Sequence, residues 1–202
     1  LQKRVPRTEV EQIAKVVEDT AKELHSDIQC QVTGSYRRGH PDCGDIDIVV
    51  ARPNVDNGDE LFMIIEHILK DLMDRKFLVD HLSVPSWADD MANQPKHFKY
   101  MGICRLLGED TLHRHIDILV VPWLHLGAVL LYFTGNDICN RSMRLMARKR
   151  GMRLSDKGLF EDVIRHKNGK KINEGRWVAG RTEKEIFEYL KIDYLEPYER
   201  DC

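Results

Sequence analysis

The chain has 202 residues, 42% hydrophobic and 32% charged, with a formal net charge of -2; it is long enough for a real core in one domain or two. The composition is that of an ordinary globular protein, no apolar run approaches bilayer length, and no signal peptide is expected in these residues. Five scattered cysteines, odd in number and without paired zinc spacing, argue for reduced thiols inside a cell and against a disulfide framework. Net charge alone does not point to nucleic acid, but its distribution does: from Asp137 to Arg181 there are 13 Lys/Arg against 5 Asp/Glu, a local basic stretch.

In chain order, Thr8-Glu9-Val10-Glu11 after Pro6 reads as a capping box opening a helix over 8–23. Val10, Ile13, Ala14, Val17 and Ala21 fall at helical spacing within it. A strand at 28–32 leads into Gly34-Ser35, which starts a short helix. Arg37-Arg38-Gly39 and a turn at Pro41-Asp42 precede a strand over 45–51. The segment 59–75 is an amphipathic helix with Leu61, Ile64, Ile65, Ile68, Leu69 and Leu72 as its core stripe. Strands are expected at 77–84 and 98–107, separated by a loop at 85–95 with no periodicity. A further apolar strand, 114–122, carries Asp117 and ends at Pro122. Helices at 124–133 and 137–150 follow, the second closed by Gly151. Short strands and Gly turns between 152 and 178 predict a small sheet, and Thr182-Glu183-Lys184-Glu185 caps a last helix to 190.

Residues two apart in a strand share a face, so Asp45 and Asp47 are expected to project together while Ile46 and Ile48 turn the other way. Carboxylates that close repel unless a positive charge lies between them, and hard oxygen ligands suit Mg2+. The Gly34-Ser35 turn offers backbone N–H groups to a phosphate. A lone Asp-x-Asp is more often a solvated strand edge. Here a third acid, Asp117, recurs in a strand otherwise built of Ile, Leu and Val, where unpaired charge is costly. A metal site beside a phosphate cradle points to phosphoryl or nucleotidyl transfer.

The run Gly34-Ser35-Tyr36-Arg37-Arg38-Gly39, then Gly44-Asp45-Ile46-Asp47, then Asp117, then Tyr132-Phe133-Thr134-Gly135 resembles the family X DNA polymerases, their lambda and beta branches most closely. The similarity runs from Arg4-Val5-Pro6-Arg7 to Glu196-Pro197-Tyr198-Glu199-Arg200-Asp201. It implies an α+β fold: a nucleotidyltransferase palm, a mixed sheet with flanking helices, over 1–122, and a small α/β thumb over 123–202 that holds DNA and the nascent base pair. It implies a DNA-directed DNA polymerase in which a primer 3'-OH attacks the α-phosphate of a dNTP. Two Mg2+ ions, or Mn2+, would be held by Asp45 and Asp47 jointly and by Asp117 on the primer side.

By the same resemblance, Gly34, Ser35, Arg38, the Cys43 backbone and Gly44 bind the β- and γ-phosphates. Tyr132, Phe133 and Gly135 underlie the sugar and leave little room for a 2'-OH. Asp137 packs over the base, Asn140 reads its minor-groove edge, and Arg141, Arg144 and His115 touch the DNA. His115 stands where the family usually has Arg, with Arg114 one step earlier. The implied partners are a primer–template or gapped duplex, dNTP and base-excision or end-joining factors, with a nuclear location and no membrane.

The lyase and helix-hairpin-helix regions of full family members are not in these residues, so the sequence is expected to be a piece of a longer protein. Three other readings compete. One is a terminal transferase, in which Trp87 in the 85–95 loop stacks on a primer end. The others are a more distant nucleotidyltransferase and a DNA-end-binding module without catalysis.

Overall fold

The computed structural model of the chain describes residues 4–85, 96–108 and 111–201; the expected loop at 85–95 falls outside them except for Pro85, and Trp87 with it. Contacts divide the chain into two compact units, Leu1–Trp123 and Leu124–Cys202.

The first unit runs β1 (Val5–Pro6), α1 (Arg7–Leu24), β2 (Gln29–Val32), α2 (Gly34–Arg37), β3 (Asp42–Cys43), β4 (Ile46–Ala51), α3 (Gly58–Asp74), β5 (Leu78–Ser83), β6 (Phe98–Cys104) and β7 (Arg114–Val120). Five strands form one sheet in the order β2-β4-β7-β6-β5. The pair β4–β7 is parallel and the other three pairings are antiparallel. This is the mixed sheet expected from the sequence. The apolar stripes of α1 (Val10, Ile13, Val17, Ala21) and α3 (Leu61 to Leu72) bury themselves with Ile46, Ile48, Ile116 and Ile118 in one core. Burial alternates along β6 and along the first half of β7, so one face of the sheet packs on the helices and the other carries the polar side chains.

Helix α1 corrects the capping-box expectation. It starts at Arg7 with Pro6 in the N-cap position and no side-chain cap. The reason is tertiary: β1 pairs with β3 and the Arg7 amide donates to the Pro41 carbonyl at 3.0 Å, so the chain enters the helix already anchored. Glu11, the expected box partner, faces Arg7 and the Tyr36 hydroxyl instead. Strand β6 ends at Cys104, short of the expected 107, and the helix expected from 124 begins as a 3-10 turn, Trp123–His125.

The second unit contains α4 (Leu126–Thr134), α5 (Asp137–Lys149), β8 (Arg153–Ser155), β9 (Gly158–Glu161), β10 (Arg176–Ala179), α6 (Glu183–Tyr189) and a 3-10 turn, Pro197–Arg200. The three strands form an antiparallel sheet. Ala128, Leu131, Met143, Ala147, Leu159, Ile186 and Phe187 are among its core residues. The expected capping box at Thr182 and Glu185 is present. Gly127 and Ala128 donate their amides to the Arg181 and Gly180 carbonyls at 3.1 and 3.0 Å; a Cβ on Gly127 would collide with the Thr182 backbone. Arg200 is fully buried, with Nη1 2.7 Å from Glu183 Oε1. Among the described residues, no helix is long and apolar enough to cross a membrane.

Candidate active site

Strands β4 and β7 lie side by side in parallel, and their register sets Asp47 directly beside Asp117. Each acid is flanked by buried isoleucines, Ile46 and Ile48 or Ile116 and Ile118, which send it to the face opposite the helices. Asp45 does not sit in the strand as expected: β4 begins at Ile46, where pairing with Ile116 starts, and Asp45 lies exposed in the bend before it. It is still close enough to act on its neighbour. Burial, then the charges of Asp45 and Asp117, push the Asp47 carboxyl up to about 7, while Lys99 pulls the other way. A half-buried carboxyl crowded by two others, with an all-oxygen donor set, fits a hard divalent cation. Among the described residues, however, no three His, Cys, Asp or Glu side chains are gathered closely enough to hold one. Instead Lys99 Nζ lies 2.7 Å from Asp117 Oδ2.

The Gly34-Ser35 turn is fastened to the same strand. The Thr33 amide donates to the Asp47 carbonyl at 2.9 Å. Gly34 adopts φ +59°, and a Cβ there would lie 3.4 Å from Asp47 Oδ2, so glycine suits both the backbone and the space. Helix α2 is a single turn of four residues, followed by Arg38 as its C-cap; Ser35 and Arg38 are both half-buried. The Cys43 thiol is buried in the core, which leaves only its backbone for any contact. Gly44 is exposed.

Arg114 and His115 separate cleanly. Arg114 is buried, and its Nε and Nη2 each lie 2.7 Å from a Glu9 carboxylate oxygen, clamping β7 to α1. His115 is exposed, and its place two residues from Asp117 puts it on the acidic face. The sequence reading missed Lys99. Alternation within 98–104 could have assigned its face, but nothing local shows that β6 pairs with β7.

In the second unit, Tyr132 and Phe133 close α4, their rings edge to face at 5.2 Å. Gly135 is the helix C-cap at φ 68°. Asn136, which the sequence reading did not name, caps α5 by accepting from the Cys139 amide at 2.9 Å. Asn140 Nδ2 donates to the Tyr132 carbonyl at 2.7 Å, and Arg144 Nε donates to the Asn140 carbonyl at 3.2 Å. The Arg144 guanidinium stands 5.8 Å from the Tyr132 ring centroid. Exposed Asp137 and Arg141 pair with each other at 2.5 Å. Tyr132, Phe133, Gly135, Asp137, Asn140, Arg141 and Arg144 are thus gathered around the α4–α5 junction.

Residues 4–123 match the DNA polymerase beta palm family and residues 129–201 the DNA polymerase beta thumb family. The chain is 36% identical over 198 residues to DNA polymerase lambda of Rattus norvegicus, covering 98% of this chain and 33% of the relative. Against DNA polymerase lambda of Arabidopsis thaliana the identity is 32% over 198 residues, 98% of this chain and 36% of the relative. A DNA polymerase type-X family protein of Schizosaccharomyces pombe is 25% identical over 197 residues, 93% of this chain and 36% of the relative. The chain therefore spans about a third of the length of these relatives. On the palm and thumb matches, with their acids in register on adjoining strands, the chain belongs to the family X DNA polymerases.

Proposed function

We propose that the chain is the polymerising core of a DNA repair enzyme: a nucleotidyltransferase that extends a primer 3'-OH with dNTPs, directed by a template, in short gaps. The observation that carries this is the register of Asp47 with Asp117, with the Gly34 turn fastened beside them. The palm over 1–122 does the chemistry, and the thumb over 123–202 checks the nascent pair. Asp45, Asp47 and Asp117 would hold two divalent cations, Mg2+ or Mn2+. When bound, these lower the pKa of the 3'-OH and neutralise the triphosphate.

Gly34, Ser35, Arg38, Gly44 and the Cys43 backbone seat the β- and γ-phosphates, and the Arg38 fork offsets charge on the departing pyrophosphate. Tyr132, Phe133 and Gly135 bear on the sugar, Asp137 on the base, and Asn140 on its minor-groove edge. Arg144, Arg141 and His115 contact the DNA strands. Arg148, Lys149, Lys167 and Lys170 are exposed, and among the described residues no carboxylate lies within ion-pair reach of them, which suits a phosphate backbone. The substrate implies a location where chromosomal DNA is repaired, the nucleus, alongside base-excision or end-joining factors.

Primer extension with each dNTP separately, on a one-nucleotide-gapped duplex and on a single strand, tests the reading. Incorporation opposite the complementary base alone, lost in Asp117→Ala, is expected. Addition to the single strand irrespective of template, or full incorporation by Asp117→Ala, overturns it.

A further inference from the structure

The proposed cation site already contains a cation of its own. Lys99 lies on β6, whose register with β7 places Met101 opposite Asp117 and Lys99 opposite Leu119. Lys99 is therefore the diagonal neighbour of Asp117 on the same face, the spacing at which a long side chain reaches across strands. Its Nζ stands 2.7 Å from Asp117 Oδ2, with the two side chains 39% and 23% exposed. An ammonium and a divalent ion cannot share that oxygen at close range without strong mutual repulsion. The lysine stem is flexible and its head strongly hydrated, so the ammonium can leave without disturbing the core.

We propose that Lys99 is a built-in counter-cation: it occupies Asp117 in the cation-free chain, gives it up when a divalent ion binds, and so sets how tightly the site takes its metal. The inference rests on the proposed assignment of Asp117 as a cation ligand. Lys99 is a positioning residue in this scheme, acting through the carboxylate and not on the substrate.

The test is Mn2+ binding to the purified chain without DNA, followed by loss of the free-ion electron paramagnetic resonance signal. Lys99→Met and Lys99→Gln should each tighten Mn2+ binding by about fivefold, the scale of a half-exposed ion pair, while Lys99→Arg stays near the parent. In an Asp117→Asn background, Lys99→Met should have less than about a twofold effect. Unchanged or weaker binding in Lys99→Met, or tightening that persists in the Asp117→Asn background, overturns the inference. If Asp117→Asn alone leaves Mn2+ affinity intact, the assignment of Asp117 as a ligand fails, and this inference with it.

Discussion

Removing the Arg200 guanidinium should strongly destabilise the second unit. The side chain is 0% exposed and its partner Glu183 6%. Besides the 2.7 Å ion pair with Glu183, Nε and Nη2 donate to the Leu195 carbonyl at 3.0 and 2.8 Å, and Nη2 meets the Tyr194 hydroxyl at 3.3 Å. Arg200→Met keeps much of the volume but strands the Glu183 carboxylate in the interior. Breaking one side of a buried pair costs about 3–5 kcal/mol. The Tyr194 hydroxyl still reaches Glu183 Oε2 at 3.3 Å, so the lower end, about 3 kcal/mol, is expected. Glu183→Gln alone leaves the guanidinium unpaired and should also cost about 3 kcal/mol, whereas the double variant Arg200→Met/Glu183→Gln removes both charges and should cost only about 1–2 kcal/mol, less than either single change. Urea unfolding followed by tryptophan fluorescence and far-ultraviolet circular dichroism measures both. A single variant costing under about 1 kcal/mol, or a double variant costing the sum of the singles, would refute the reasoning. The Asn136 amide donates to the Arg200 carbonyl at 3.3 Å, so the same change should also loosen the start of α5, where Asp137 and Asn140 sit.

Three further outcomes are expected. Above the raised Asp47 value of about 7, at about pH 8, Asp47→Asn removes one of three crowded charges and should raise the melting temperature in EDTA by a few degrees, about 1–2 kcal/mol, while abolishing incorporation; scanning fluorimetry reads the first, and no rise would count against the crowding. Gly127→Ala drives a Cβ into the Thr182 backbone, and should cost about 2 kcal/mol in a urea titration; a cost below about 0.5 kcal/mol, the range of an unremarkable surface change, would sink the close-approach argument. Arg114→Met should shift the urea midpoint by breaking the Glu9 clamp, at about 3 kcal/mol, whereas His115→Ala should leave the midpoint alone and weaken primer–template binding in fluorescence anisotropy. The opposite pattern would mean that Arg114 is the DNA contact.

Much of this architecture is legible locally. The stripe Leu61, Ile64, Ile65, Ile68, Leu69 and Leu72 is buried in the core as helical spacing requires, because a 3.6-residue period leaves only one face to hide. The Thr182–Glu185 box closes as written, since both partners lie within one turn. The Thr8–Glu11 box has the same signature and fails, because the Val5–Cys43 strand pairing starts the helix elsewhere. The acids at 45, 47 and 117 could be singled out because charge is conspicuous in apolar strands, although the strand edge at Ile46 could not.

The sequence by itself determined the periodic elements, the capped last helix and the identity of the acids, all of which depend on neighbours a few residues apart. Only the tertiary structure decided that Asp47 meets Asp117 in a parallel register, that Lys99 answers Asp117, and that Arg114 is committed to Glu9 across 105 positions. Strand register and counter-ion choice depend on which distant segments close together, and a carboxylate's charge state follows from that closure.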